Sequence, residues 1–242
     1  MEDCLLDFEN FEEDPCYQQW LSGEGGPFAE AGAGINMLFR SSVSNNEDAD
    51  ILFFGAPGIE LNGFYPGYSQ GRVATNVSFS WSMVKMQVGN QAGTVELRST
   101  NPRDTPIINF NYFEQQAEQD LQAFTEGYEF AMDLFNALGE PYTPFTLVEP
   151  APNATSIRQS IMDRAFGHHA TSSCRMGPKD DHEYCVDSKF KVNGVDGLRV
   201  VDASVFPRTP GGFTVGPTFI IGQKAFETIQ EELKEGSECR RM

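Results

Sequence analysis

Gly167-His-His-Ala-Thr-Ser-Ser-Cys-Arg-Met-Gly177, then Asp187-Ser-Lys-Phe-Lys-Val-Asn-Gly-Val-Asp-Gly-Leu-Arg-Val-Val-Asp-Ala-Ser-Val-Phe-Pro207, then Gly216-Pro-Thr-Phe-Ile-Ile-Gly-Gln-Lys-Ala225. The reading of this chain turns on these segments. All three histidines, His168, His169 and His182, fall within 15 residues. Histidine is the side chain best suited to take a proton near neutral pH. The small residues after His169 let backbone approach a flat ligand closely. Leu198–Asp202 reads as a compact strand, and Asp202 with Ala203 then forms a strand-to-loop junction of the kind found beside a bound cofactor. From Gly216 to Lys234 the apolar residues Phe219, Ile220, Ala225, Ile229 and Leu233 predict a helix, with Pro217 in its first turn. The N-terminal end of that helix offers backbone N–H groups and a positive dipole.

Working toward the N-terminus, Thr155–Phe166 predicts a helix with Thr155 or Ser156 as its cap. Leu121, Phe124, Tyr128, Ala131, Met132 and Phe135 recur at helical spacing within 114–138, and Gly139 and Pro141 end the pattern. Ile107–Phe113 predicts a short strand. Val77–Met86 and Thr94–Ser99 alternate apolar and polar residues, and the Gly-Asn-Gln-Ala-Gly turn at 89–93 predicts that they pair as antiparallel strands. Before residue 76 the sequence is rich in Gly, acids and aromatics. It predicts loops with a short strand at Ile51–Phe54.

Three of these features occur in the order His-x5-Arg-Met-Gly, Val-x-Gly-Leu-Arg-Val-Val-Asp-Ala-Ser-Val-x-Pro and Pro-Thr-x-x-Ile. In this order the chain resembles the C-terminal half of the glucose-methanol-choline (GMC) oxidoreductases. Ala92-Gly-Thr-Val-Glu-Leu-Arg-Ser and Pro102-Arg-Asp-x-Pro-Ile-Ile-Asn109 resemble the same family's substrate domain, so the similarity runs over at least 77–234. The resemblance implies a mixed α/β (α+β) fold. A loop-rich segment, 1–76, precedes an antiparallel-sheet substrate domain with helices, 77–166, and 167–242 is the C-terminal strand and helix portion of an FAD-binding domain. It also implies an FAD-dependent oxidation of the CH–OH group of a small-molecule alcohol, with hydride passing to flavin N5 and His169 as the base. His168 is implied as its neighbour in the catalytic site. Asp202 and Ala203 match positions along the flavin pyrophosphate and ribityl chain. Pro217 and Thr218 match the helix start facing the isoalloxazine.

Two departures from the family pattern stand out. Many members carry a second His or Asn where this chain has Phe213, which can neither accept nor donate a proton. The Gly-x-Gly-x-x-Gly fingerprint that cradles the ADP pyrophosphate does not occur within the 242 residues. The expectation is therefore a fragment or half-protein, inactive alone and binding FAD weakly, whose partner is a missing N-terminal FAD-binding half. A non-catalytic remnant that binds a separate flavin half is the alternative.

Composition limits the other readings. The net charge of −18 argues against nucleic acid and anionic membrane as partners. The acidic clusters at Glu9, Glu12, Glu13 and Asp14 and at Asp180, Asp181 and Glu183 read as solvated surface. No stretch has the apolar length of a transmembrane segment. Five cysteines are too few for a disulfide scaffold and leave the compartment open. A metal site from His168, His169, Cys174, His182 and Cys185 lacks the paired Cys-x2-Cys spacing of zinc, and no metal is expected.

Overall fold

The computed structural model describes residues 11–29, 34–45, 47–61, 63, 73–150 and 156–239. The chain folds as two compact units, Met1–Phe166 and Gly167–Met242. Among the described residues the fold is mixed α/β, with the antiparallel strands all in the first unit and α-helices in both.

The first unit is built on a three-stranded antiparallel sheet of β1 (Ile35–Phe39), β2 (Ile51–Glu60) and β3 (Val73–Lys85), with β2 in the middle. On β2 the side chains of Ile51 and Phe53 point to one face, two residues apart, and both are fully buried. A helix, α2 (Ala117–Ala137), covers that face with Ala123 and Ala131. Gly127 lets it lie close, because a Cβ there would stand 3.1 Å from Met83 Sδ and 3.4 Å from both Ile51 and Phe53. Aromatic rings complete the layer. Phe39 stacks on Phe130 at 4.9 Å, and Phe53 meets Trp81 edge to face at 5.9 Å. Gly55 answers a second crowding, since a Cβ there would meet Phe79 at 2.5 Å and Trp81 at 2.8 Å.

The turn between β1 and β2 is held by Asp50, which accepts from the Ser41 N–H at 2.8 Å and the Ser41 hydroxyl at 2.7 Å. Lys85 on β3 pairs with the same carboxylate at 3.1 Å. Burial alone would push Asp50 up. The bonds from Ser41 and the charge of Lys85 outweigh it and hold the carboxyl below its usual range.

Several expectations are corrected here. The strand expected at Ile51–Phe54 is present as the start of β2 and runs on to Glu60, and the stretch otherwise read as loops also contains β1 and a helix, α1 (Pro15–Leu21). Asp14, read as solvated surface, is fully buried and caps α1 by accepting from the Cys16 N–H at 2.8 Å. The strands expected to pair across 89–93 lie in different sheets. β3 pairs with β2, whereas β4 (Thr94–Glu96) pairs with β5 (Ile107–Asn109). The 89–93 turn is fastened elsewhere: Asn90 donates to the Asn111 carbonyl, Asn111 donates to the Ala92 carbonyl, and the Gln115 N–H donates to Asn90. These side-chain bonds swing the chain away from β3. The helical expectations hold, with α2 in place and Ser156 capping α3 (Ile157–Arg164) through the Gln159 N–H.

The second unit contains one long helix, α4 (Val215–Cys239), and a mostly irregular chain before it. Val186, Phe190, Val205 and Ala225 form its buried centre, with Met176, Val192, Val200 and Ile221 packed around them. The expected strand at 198–202 is reduced to one bridge, Lys191 to Arg199. Its apolar residues serve packing instead of a continuous ladder. Single bonds replace that ladder: Ser172 N–H to Ala203, Cys174 N–H to Ser204 and Met176 N–H to Val205. A disulfide joins Cys174 to Cys185. Glu232 on α4 collects Lys191 at 2.8 Å, Arg199 at 2.5 Å and Lys189 at 3.4 Å, tying the helix to the 189–199 turns.

Candidate functional site

Unit 2 carries every residue singled out from the motifs. His169 is half-buried, and two rings lie close to its imidazole. His168 meets it at 4.4 Å between centroids with planes at 75°, and Phe213 meets it at 5.7 Å and 79°. Burial, and then the charge of His168, lower the His169 pKa below the ordinary imidazole value. The neutral ring, the form that can accept a proton, is thus favoured near neutral pH. His168 is exposed.

Local chemistry explains how Phe213 arrives there. Gly211 and Gly212 have φ of +83° and +55°, a left-handed pair that residues with side chains rarely adopt. Thr214 follows, and its carbonyl accepts from the Thr218 N–H at 3.0 Å and the Thr218 hydroxyl at 2.8 Å, closing the first turn of α4. Phe213 therefore stands between a tight glycine turn and an anchored helix start.

Asp202 is exposed and extended, with φ −157°. Its Oδ1 accepts from the Ser204 N–H at 2.8 Å and the Ser204 hydroxyl at 2.5 Å, capping the short 3-10 turn Ala203–Val205. The Ala203 carbonyl accepts from the Ser172 N–H at 3.3 Å, so the loop that begins at His168 and His169 is laced to the 202–205 turn. Pro217 and Thr218 occupy the first turn of α4, just beyond Phe213. The structure thus links the three motifs through the 172–203 hydrogen bond and the 169–213 ring contact. His182 sits exposed in the turn 178–184 and joins none of these contacts.

Two features escaped the motifs. The first is the Cys174–Cys185 disulfide, whose pairing no spacing encodes. It uses both thiols that a metal site would have needed. Among the described residues no group of three or more His, Cys, Asp or Glu is arranged to hold a metal ion. The second is the positive role of Phe213 as a contact of His169, where the sequence marks only a missing polar group. Gly177, which closes the Arg-Met-Gly run, also gains a reason. The Tyr184 ring lies against it where any Cβ would clash, and Arg175 sits over that ring at 5.7 Å.

The model of the GMC oxidoreductase family matches residues 89–222 of this sequence, more than half of its length. The chain belongs to the GMC oxidoreductase family. Among curated relatives, the oxygen-dependent choline dehydrogenase of Brucella anthropi is 35% identical over 221 residues, covering 84% of this chain and 39% of that protein. The glucose methanol choline oxidoreductase atC of Aspergillus terreus is 29% identical over 222 residues, covering 88% of this chain and 36% of its own. This GMC chain therefore spans well under half the length of the curated relatives it matches. Among solved structures, a formate oxidase superposes with a TM-score of 0.68 at 21% identity, over 97% of this chain and 44% of that one. A fungal aryl-alcohol oxidase gives 0.52 at 20% identity, over 78% and 29%. At such identities these two likenesses speak for the fold alone. Among the described residues no helix is long and apolar enough to cross a membrane.

Proposed function

We propose that this GMC chain is the C-terminal part of an FAD-dependent oxidoreductase that oxidises the CH–OH group of a small-molecule alcohol, with His169 as the base. The observation that carries the reading is the His169 imidazole, half-buried, ringed by His168 and Phe213, and held toward its neutral form. In this reading residues 77–166 form the substrate-binding part and 167–242 return to the flavin-binding part.

The residues present suit a flavin. The first helical N–H groups of α4, at Val215 and Gly216, have no acceptor within the helix. Nothing lies within 4 Å of where a Cβ on Gly216 would be, so an anionic or polar ligand edge can come close to that backbone. Asp202 keeps the 203–205 turn closed and is itself exposed, so an extended ligand chain can reach it. Asp202, Ala203, Pro217 and Thr218 would hold FAD, and FAD would supply the hydride acceptor. His169 would take the hydroxyl proton, with His168 as its ring neighbour.

The ADP end of the cofactor needs a glycine-rich turn that these 242 residues do not contain. We therefore assign it to a flavin-binding polypeptide outside this sequence. The exposed apolar side chains Phe219, Ile220 and Phe226 on α4 offer that polypeptide a surface. A second reading, a non-catalytic remnant that only binds such a half, is favoured by Phe213 standing where many relatives keep a polar group.

FAD titration of the 242-residue chain, read by flavin fluorescence, comes first. Weak or no binding is expected, with saturable binding appearing when a GMC N-terminal half is co-expressed. Tight binding by the chain alone would sink the two-part reading. In the assembled protein, His169→Ala should slow alcohol-dependent flavin bleaching by about 10²- to 10⁴-fold. An unchanged rate would remove His169 as the base, and an assembled protein that bleaches with no alcohol in a broad panel would favour the remnant.

A further inference from the structure

We propose that Phe213 is a positioning residue for His169: its ring, with that of His168, fixes the imidazole so that one histidine does the work otherwise shared by two polar groups. The inference rests on His169 being the base. It goes beyond that reading by giving a task to a residue which by motif alone looks like a loss.

The geometry has three parts. His169 makes near-perpendicular contacts with two rings, His168 at 75° and Phe213 at 79°, and edge-to-face arrangement is a preferred one for such pairs. Phe213 itself has little freedom, since Gly211 and Gly212 are both left-handed and Thr214 is bonded twice by Thr218. Phe213 is 42% exposed and does not belong to the buried centre of unit 2, so its contact with His169 is not a by-product of core packing.

A hydrogen-bonding residue at this place would compete for one imidazole nitrogen and hold the ring by a polar bond. A phenyl ring leaves both nitrogens uncommitted and holds the imidazole by shape. It also keeps water from that side, which together with His168, the titratable group that faces His169, favours the neutral ring. The substrate would then meet an apolar wall beside the base, which suits an alcohol whose carbinol carbon bears an apolar substituent on that side.

The test uses the full chain and histidine NMR, which is simple because the chain has three histidines. In the unmodified protein the His169 ring signals should carry a ring-current shift from Phe213 and titrate below the ordinary imidazole value. Phe213→Ala should abolish that shift, raise the His169 midpoint toward the ordinary value of about 6.5, and broaden or average its signals. Phe213→Tyr should restore both properties, whereas Phe213→Leu should keep bulk and lose only the ring current. His182 signals and the thermal midpoint report whether each variant is folded, and an unfolded Phe213→Ala is replaced by the Leu and Tyr pair. A His169 shift and midpoint unmoved in folded Phe213→Ala or Phe213→Leu and Phe213→Tyr would overturn the proposal. These readouts need no flavin. A His169→Ala protein that still oxidises alcohol at full rate would instead defeat the base assignment and leave the ring contact standing.

Discussion

The two units of this chain solve the same problem by opposite means. Unit 1 uses regular elements: β1, β2 and β3 in register, with α2 laid across Ile51 and Phe53. Unit 2 has a single long helix and otherwise isolated bridges, one-by-one backbone bonds, a disulfide and a three-cation cluster on Glu232. Where the ladder is continuous, stability comes from apolar burial behind it. Where regular ladders are missing, cross-links and point contacts take over. The candidate site lies wholly in the second kind of structure.

That contrast can be broken at three places, in falling order of effect. Phe53→Ala removes the ring at the centre of the unit 1 core and should cost about 3–5 kcal/mol. Both tryptophans, Trp20 and Trp81, belong to unit 1, so fluorescence-detected urea unfolding reads that loss directly. A change under about 1 kcal/mol would mean that the sheet does not depend on this core. Replacing Cys174 and Cys185 together by serine opens a loop with a sequence separation of 11. It should cost unit 2 about 2–4 kcal/mol, read by the histidine signals of 168, 169 and 182. Trp81 fluorescence should stay as it is. An unaltered histidine spectrum would show that point contacts suffice without the cross-link.

The smallest effect concerns acid. The hydrogen bond from Lys191, then the charges of Lys191 and Arg199, hold the Glu232 carboxyl down at about 2, against an ordinary value of 4.5. A lowered carboxylate stabilises the folded state fully above its unfolded value and ceases to do so as pH falls through the folded one. Stability from Glu232 should therefore be complete above about pH 4.5 and fade toward pH 2. Glu232→Gln should flatten that part of the stability–pH curve by lowering its neutral end and leaving its acid end near pH 2 unmoved, a small loss because the cluster is partly exposed. A curve of unchanged slope would show that the cluster is ornamental.

The same division governs what could be read beforehand. The helices of both units were legible because the signals are local: the three-and-four spacing of Leu121 to Phe135, the Ser156 cap, and Pro217 followed by an apolar stripe. The sheet of unit 1 was half legible. β3 alternates clearly, but β1 is a five-residue strand behind a glycine-rich stretch, and its turn is fastened by Asp50 and Ser41 together with the distant Lys85. The misassigned hairpin failed for a similar reason, because Asn90 and Asn111 decide where the turn goes. In unit 2 the site residues stood out as a motif, whereas the strand expected around Val200 did not form. Residue types at fixed spacing survive loss of regular structure. A contact such as Phe213 on His169 depends on two glycines bending the chain back, and no local pattern announces it.

The Cys174–Cys185 cross-link has a consequence for making the protein. A host compartment that keeps thiols reduced would deliver unit 2 without it. The unit would then rely on fragmentary bridges to hold its turns during synthesis, and material made that way should differ in solubility from material made where thiols oxidise. Cys16 is disulfide-bonded as well, so the choice of host bears on both units. For this chain the redox state of the folding compartment is part of the recipe, as much as the sequence itself.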